Sequence, residues 1–146
     1  MKTINLEGER TKRAAVFALA LVMALGLCAC GGSRAYYQQR ADLCLYGEPM
    51  DGFTDISLNP EKSYITVSGG KVTYYYFENV WTGQWLKDDS DKFILWDEEP
   101  QLWSDFEYGF TTMKETDGGY TMSVMYTDDI GEDRVWLEYR IQFRTK

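Results

Sequence analysis

Lys62-Ser63-Tyr64-Ile65-Thr66-Val67-Ser68-Gly69-Gly70-Lys71-Val72-Thr73-Tyr74-Tyr75-Tyr76-Phe77-Glu78 is the stretch that decides the fold. Two runs rich in β-branched and aromatic residues lie on either side of a Gly-Gly pair. Such residues favour extended backbone, and a two-residue glycine loop supplies the positive φ that a tight hairpin needs. The loop length also sets the register. Ser68 falls opposite Lys71, Val67 opposite Val72, Thr66 opposite Thr73, Ile65 opposite Tyr74, and Tyr64 opposite Tyr75. Ile65, Val67, Val72, Tyr74 and Tyr76 then share the expected core face, while Tyr64, Thr66, Thr73 and Tyr75 face outward.

The same pattern extends in both directions. Upstream, Asp42–Tyr46 reads as a first strand closed by Gly47-Glu48-Pro49-Met50-Asp51-Gly52, and Phe53–Leu58 as a second stopped by Asn59-Pro60. Downstream, Trp81–Lys87 and Lys92–Trp96 flank the acidic turn Asp88-Asp89-Ser90-Asp91. Both faces of this pair are apolar: Leu86, Phe93 and Leu95 on one, Trp85, Ile94 and Trp96 on the other. Alternation does not choose between them.

The last third alternates cleanly. Leu102–Met113 is expected to point Leu102, Phe106, Tyr108 and Phe110 inward, and Trp103, Asp105, Glu107 and Thr111 outward. Tyr120–Thr127 points Tyr120, Met122, Val124 and Tyr126 inward. Arg134–Arg144 points Val135, Leu137, Tyr139, Ile141 and Phe143 inward. One buried face and one wet face is the antiparallel signature. The sum is an all-β domain of eight or nine antiparallel strands in sequence order. Closing so large a sheet removes its edges, so the expected fold is an up-and-down barrel, or a flattened barrel or sandwich.

The N-terminus reads differently. Lys2, Arg10, Lys12 and Arg13 form a basic head, and Ala14 to Leu27 is an uncharged apolar run. Its length suits a secretory signal helix and falls short of a bilayer span. Leu27-Cys28-Ala29-Cys30-Gly31-Gly32-Ser33 follows. Taken together, residues 1–29 resemble the signal peptide of a bacterial lipoprotein, with Cys at the second lipobox position as a departure. The resemblance implies cleavage before Cys30, lipidation of Cys30 with acyl chains such as palmitate, and an extracytoplasmic protein held on the cell membrane. More than one chain is needed for stable anchoring. Residues 30–41 then read as a flexible tether and 42–146 as a single barrel domain. The Gly-Gly hairpin, the Gly83-Gln84-Trp85 strand and the meander after it resemble the small lipocalin-like lipoproteins of gut Firmicutes. That resemblance implies a barrel and no activity.

Charge and composition narrow the function. The chain has 15 basic and 23 acidic residues. Residues 1–29 hold four of the basic and two of the acidic ones, so the remainder carries 11 against 21, a net charge of −10. Such a surface, taken as a whole, repels nucleic acid and anionic lipid headgroups. Histidine is absent, which removes the commonest general base and zinc ligand. Once Cys28 leaves and Cys30 is acylated, Cys44 has no disulfide partner and reads as a small buried residue of the first strand.

No nucleophile elbow, Cys–His pair or phosphate loop is present, so an enzyme is not expected, and no cofactor. Asp105 and Glu107 would share a strand face, but exposed strand acids lack the cleft and raised pKa that glycoside hydrolysis requires. Asp88, Asp89 and Asp91 are the first place to look for calcium, although their spacing is not that of a calcium loop.

The sharper feature is aromatic. Trp103 and Trp136 fall on outward faces at the same end of the sheet, with Met125 and Thr127 between them, and Tyr64 and Tyr75 form a second outward pair. Flat exposed aromatics beside carboxylates can stack on sugars or dock a protein. The expectation is a non-catalytic binding module whose outer aromatic face takes a glycan or an envelope protein. The alternatives are a lipocalin-type carrier of a small apolar ligand and a structural accessory subunit of an envelope complex. A small barrel filled by Phe, Tyr, Met and Leu speaks against the carrier.

Overall fold

The computed structural model describes residues 34–54 and 60–146. The signal, the lipobox and Cys30 lie outside the described residues, as does most of the expected Phe53–Leu58 strand. Within the described residues Phe53 and Thr54 are bends.

The strands are β1 (Arg34–Leu45), β2 (Glu48–Pro49), β3 (Ser63–Ser68), β4 (Lys71–Tyr76), β5 (Asn79–Trp85), β6 (Phe93–Trp96), β7 (Glu107–Thr116), β8 (Gly119–Ile130) and β9 (Asp133–Arg144). All pairings are antiparallel. From β3 to β9 each strand pairs with the next, and β1 pairs with both β3 and β9. The result is a closed eight-stranded, lipocalin-like barrel with β2 as a short extra strand on β1. The β3–β4 register is the expected one at every position, and Gly69 and Gly70 turn it at φ of 58° and 82°.

The interior is aromatic. Tyr74, Tyr126, Tyr139, Phe143, Met113 and Met122 are fully buried. Tyr74 packs against Trp81 and edge-on against Phe143, with ring centroids at 5.5 and 5.7 Å. For the strand pair whose faces alternation left open, closure decides. Trp85 and Ile94 are buried and Trp96 packs on the core, while Leu86 and Leu95 are exposed and Phe93 half-buried.

Two expectations are corrected. Residues 34–41 are not tether: β1 begins at Arg34, and Gln38 and Ala41 are buried. Polar composition hid the strand, whose backbone pairs with β3 on one side and β9 on the other. A register shift between Gln38 and Arg40 also breaks its alternation. Gln38 faces inward, where its amide oxygen accepts a hydrogen bond from Ser63 at 2.5 Å.

The second correction lies in Leu102–Met113. Residues 102–106 are loop, and β7 starts at Glu107. Leu102, Phe106 and Tyr108 pack against the core as expected, but Phe110 does not. A bulge at Gly109 inserts one residue between Tyr108↔Tyr126 and Phe110↔Met125. The extra residue reverses the alternation, so Phe110 turns outward and Thr111 inward. Thr111 is tolerated inside because its hydroxyl accepts a hydrogen bond from Trp96 Nε1 at 2.9 Å.

The barrel has two ends. At the near end β1 begins, the β3–β4 and β7–β8 turns lie, and β9 finishes. At the far end lie the 46–62 and 97–106 connections and the β8–β9 turn.

Candidate functional site

The outer wall over β6, β7, β8 and β9 carries an apolar strip. Phe93 meets Phe110 edge-on at 5.4 Å, and Phe110 meets the Trp136 indole at 5.4 Å. Met125, half-buried on β8, is the register partner of Phe110. Leu95 is 65% exposed, Trp136 45%, Leu86 43% and Phe110 36%. Single exposed apolar side chains are ordinary; a contiguous row across four strands is not.

The bulge creates this strip. With no side chain at Gly109, the Trp136 indole lies directly over its Cα; a Cβ there would fall 2.4 Å from Trp136 Cζ3. The bulge also shortens the β6–β7 ladder to two residue pairs, Phe93↔Thr112 and Ile94↔Thr111. Beyond them the strands part. The opening is a groove of about 360 Å³ lined by Leu86, Phe93, Leu95, Trp96 and Phe110, with Glu99 as the one carboxylate among its described lining residues. At the far-end margin Arg134 pairs with Glu107 and donates to Thr127 Oγ1 at 2.8 Å.

The expected site residues divide. Trp136 and Met125 belong to the strip. Trp103 does not, which corrects the outward reading. It sits in the 97–106 connection and packs edge-on against Tyr139 inside the barrel at 5.5 Å. The Gln101 amide holds that loop by donating to the carbonyls of Trp103 and Phe106, and the Leu102 N–H donates to the Tyr126 hydroxyl at 3.4 Å. Trp103 thus closes the far end rather than offering a ring to solvent. Tyr64 and Tyr75 do share the outer face, on β3 and β4. They stack on each other at 4.4 Å, with Tyr37 beside them. One face of each ring is therefore already covered by its neighbour.

Leu86, Phe93, Leu95 and Phe110 were missed. The signal was present in the doubly apolar β6 and in a glycine inside a strand, which often marks a bulge.

The acidic candidates stay apart. Asp88, Asp89 and Asp91 occupy the exposed β5–β6 turn, where Asp89 accepts the Asp91 N–H at 3.4 Å. Asp105 lies in a loop while Glu107 begins β7 and pairs with Arg134, so the two share no strand face. Among the described residues no three His, Cys, Asp or Glu side chains converge as a metal site.

Inside, burial pushes the hydroxyls of Tyr74, Tyr126 and Tyr139 well above the usual phenol range. Burial, with Tyr36 and Glu115 adding, pushes Tyr120 up to about 12. These groups stay neutral at any physiological pH and act as packing. Cys44 is fully buried in β1, and burial raises its thiol, against the pull of the Arg140 guanidinium.

No family model matches the chain, and no curated protein and no solved structure matches it.

Proposed function

We propose that this protein is a membrane-anchored extracytoplasmic bacterial lipoprotein. On this reading Cys30 carries the lipid, and the barrel is a non-catalytic binding module whose outer strip docks a partner protein. The observation that carries the docking reading is the unbroken row Phe93–Phe110–Trp136 beside an apolar groove. Beside the strip, the outer wall of β8 and β9 is polar. On β8 and β9, Ser123 donates to Glu138 at 2.7 Å and Arg140 pairs with Glu138 at 2.8 Å.

A protein partner is favoured over a glycan by the chemistry of the lining. Sugar sites set hydrogen-bonding side chains around an aromatic platform, whereas this groove offers aliphatic and aromatic carbon with a single carboxylate. An apolar anchor flanked by a basic residue would fit it, since Glu99 lines the groove. The carrier alternative is weakened by an interior filled with Tyr74, Tyr126, Tyr139 and Phe143.

The test is site-specific photo-crosslinking in intact cells. A photoreactive residue at Leu95 should give a discrete protein adduct that disappears in Trp136→Ala, while one at Tyr75 gives none. Equal labelling from both positions, or none from Leu95, removes the docking reading. Binding to a glycan array that depends on Trp136 would transfer the strip to a sugar ligand. The anchor is tested separately by intact mass and by loss of Cys30→Ala from the membrane fraction.

A further inference from the structure

Charge is segregated along the barrel axis. At the far end, segment 97–107 alone brings Asp97, Glu98, Glu99, Asp105 and Glu107, and the β8–β9 turn adds Asp128, Asp129, Glu132 and Asp133. With Glu48, Asp51, Glu61 and Glu78, the far end holds thirteen described carboxylates against two bases, Lys62 and Arg134. The middle belt balances, Arg40 and Arg140 against Asp42 and Glu138. The near end reverses the sign. It gathers Arg34, Lys71, Lys87, Lys92, Lys114, Arg144 and Lys146 against Asp88, Asp89, Asp91, Glu115 and Asp117, seven bases to five acids. In so acidic a chain this end is the one place where bases outnumber carboxylates among the described residues.

We infer that the near end of the barrel rests on an anionic phospholipid surface, with the acidic far end directed away from it. Two independent observations meet there. The first is charge: a negative bilayer attracts lysines and arginines within about one Debye length and repels carboxylates. The second is the position of Arg34. The inference rests on Cys30 carrying the lipid, and Cys30 stands four residues before Arg34. Whatever its conformation, that link spans at most about 14 Å. A tether reaching to residue 41 would leave the barrel free to tumble, but β1 begins at Arg34 and removes that freedom. The apolar strip then stands on the side wall, parallel to the membrane normal, where a neighbouring envelope protein can reach it.

The test uses full-length protein purified from membranes and reconstituted in vesicles of equal phosphatidylglycerol and phosphatidylcholine. Fluorophores are placed at Asp117→Cys on the near-end turn or Glu132→Cys on the far-end turn. Each change removes one acid, the buried Cys44 is out of reach of the label, and β8 separates the two sites by roughly 35–40 Å. With a quencher-bearing lipid, quenching at 117 should exceed that at 132 at least threefold. The ratio should fall at least twofold on phosphatidylcholine alone, and likewise in a Lys71→Glu, Arg144→Glu variant. Equal or inverted quenching, or a ratio blind to lipid charge, overturns the docking while leaving the anchor intact. An unacylated intact mass defeats the anchor instead. The docking is then scored by the same ratio on the anionic vesicles, and no salt-sensitive binding there overturns it as well.

Discussion

The β3–β4 hairpin and the β6–β7 pair are built from the same residue types and behave in opposite ways. In the hairpin all six residue pairs form, the glycines sit in the turn, and alternation sorts every side chain to its expected face. In β6–β7 two pairs form, the glycine sits inside a strand, and aromatic residues end up on the outside. A regular ladder uses its apolar residues for the core. An interrupted one exposes them, and there the sheet gains a groove. On the proposed docking reading, the interruption rather than the best-formed part of the barrel is where a partner would be held.

The largest test of this contrast is truncation of a hairpin core residue. Tyr74→Ala removes a fully buried ring that touches Trp81 and Phe143, and should cost roughly 3–5 kcal/mol in chemical denaturation. A loss under 1 kcal/mol would mean that the hairpin face is not the core. Alkali should attack the same interior. Tyr120 titrates near 10 unfolded and about 12 folded, so its contribution is complete below pH 10 and is lost as pH rises from 10 to 12. The other buried tyrosines act in the same direction. Circular dichroism should report unfolding in that window, together with delayed tyrosinate absorbance; free titration at pH 10 with the fold intact would contradict it.

Smaller effects separate the turn from the wall. Gly70→Ala places a side chain at φ 82° and should cost about 1 kcal/mol. Phe110→Ala on the outer strip should change stability by no more than about 1 kcal/mol and yet weaken partner crosslinking at least tenfold. A large stability loss with crosslinking preserved would make the strip a packing element. The subtlest change is Gly109→Ala, whose methyl displaces the Trp136 indole. It should alter the emission of the exposed tryptophan with little change in the unfolding midpoint. An unchanged spectrum would mean that the indole does not lie over the bulge.

Legibility followed regularity. In Arg134–Arg144 every second residue is apolar, and Val135, Leu137, Tyr139, Ile141 and Phe143 are all buried. Trp136 followed as an outward residue from the same arithmetic. Phe110 was lost because one inserted residue at Gly109 reverses the alternation beyond it. Trp103 was lost because a strand pattern was extended into a loop that folds over the barrel end. The first half of β1 was lost because Gln38 and Arg40 look like tether while their backbones pair with β9.

By itself the sequence determined the class of fold, the hairpin register and the inward faces of β3, β4, β8 and β9. These depend on local alternation and turn length, which are properties of neighbouring residues. Only the tertiary structure decided which face of β6 is buried, that the chain joins the barrel at Arg34, and that Phe93, Phe110 and Trp136 meet. Those facts depend on closure of the sheet, on one bulge and on a loop packed across the far end. Each brings together residues whose separation along the chain carries no trace of their contact.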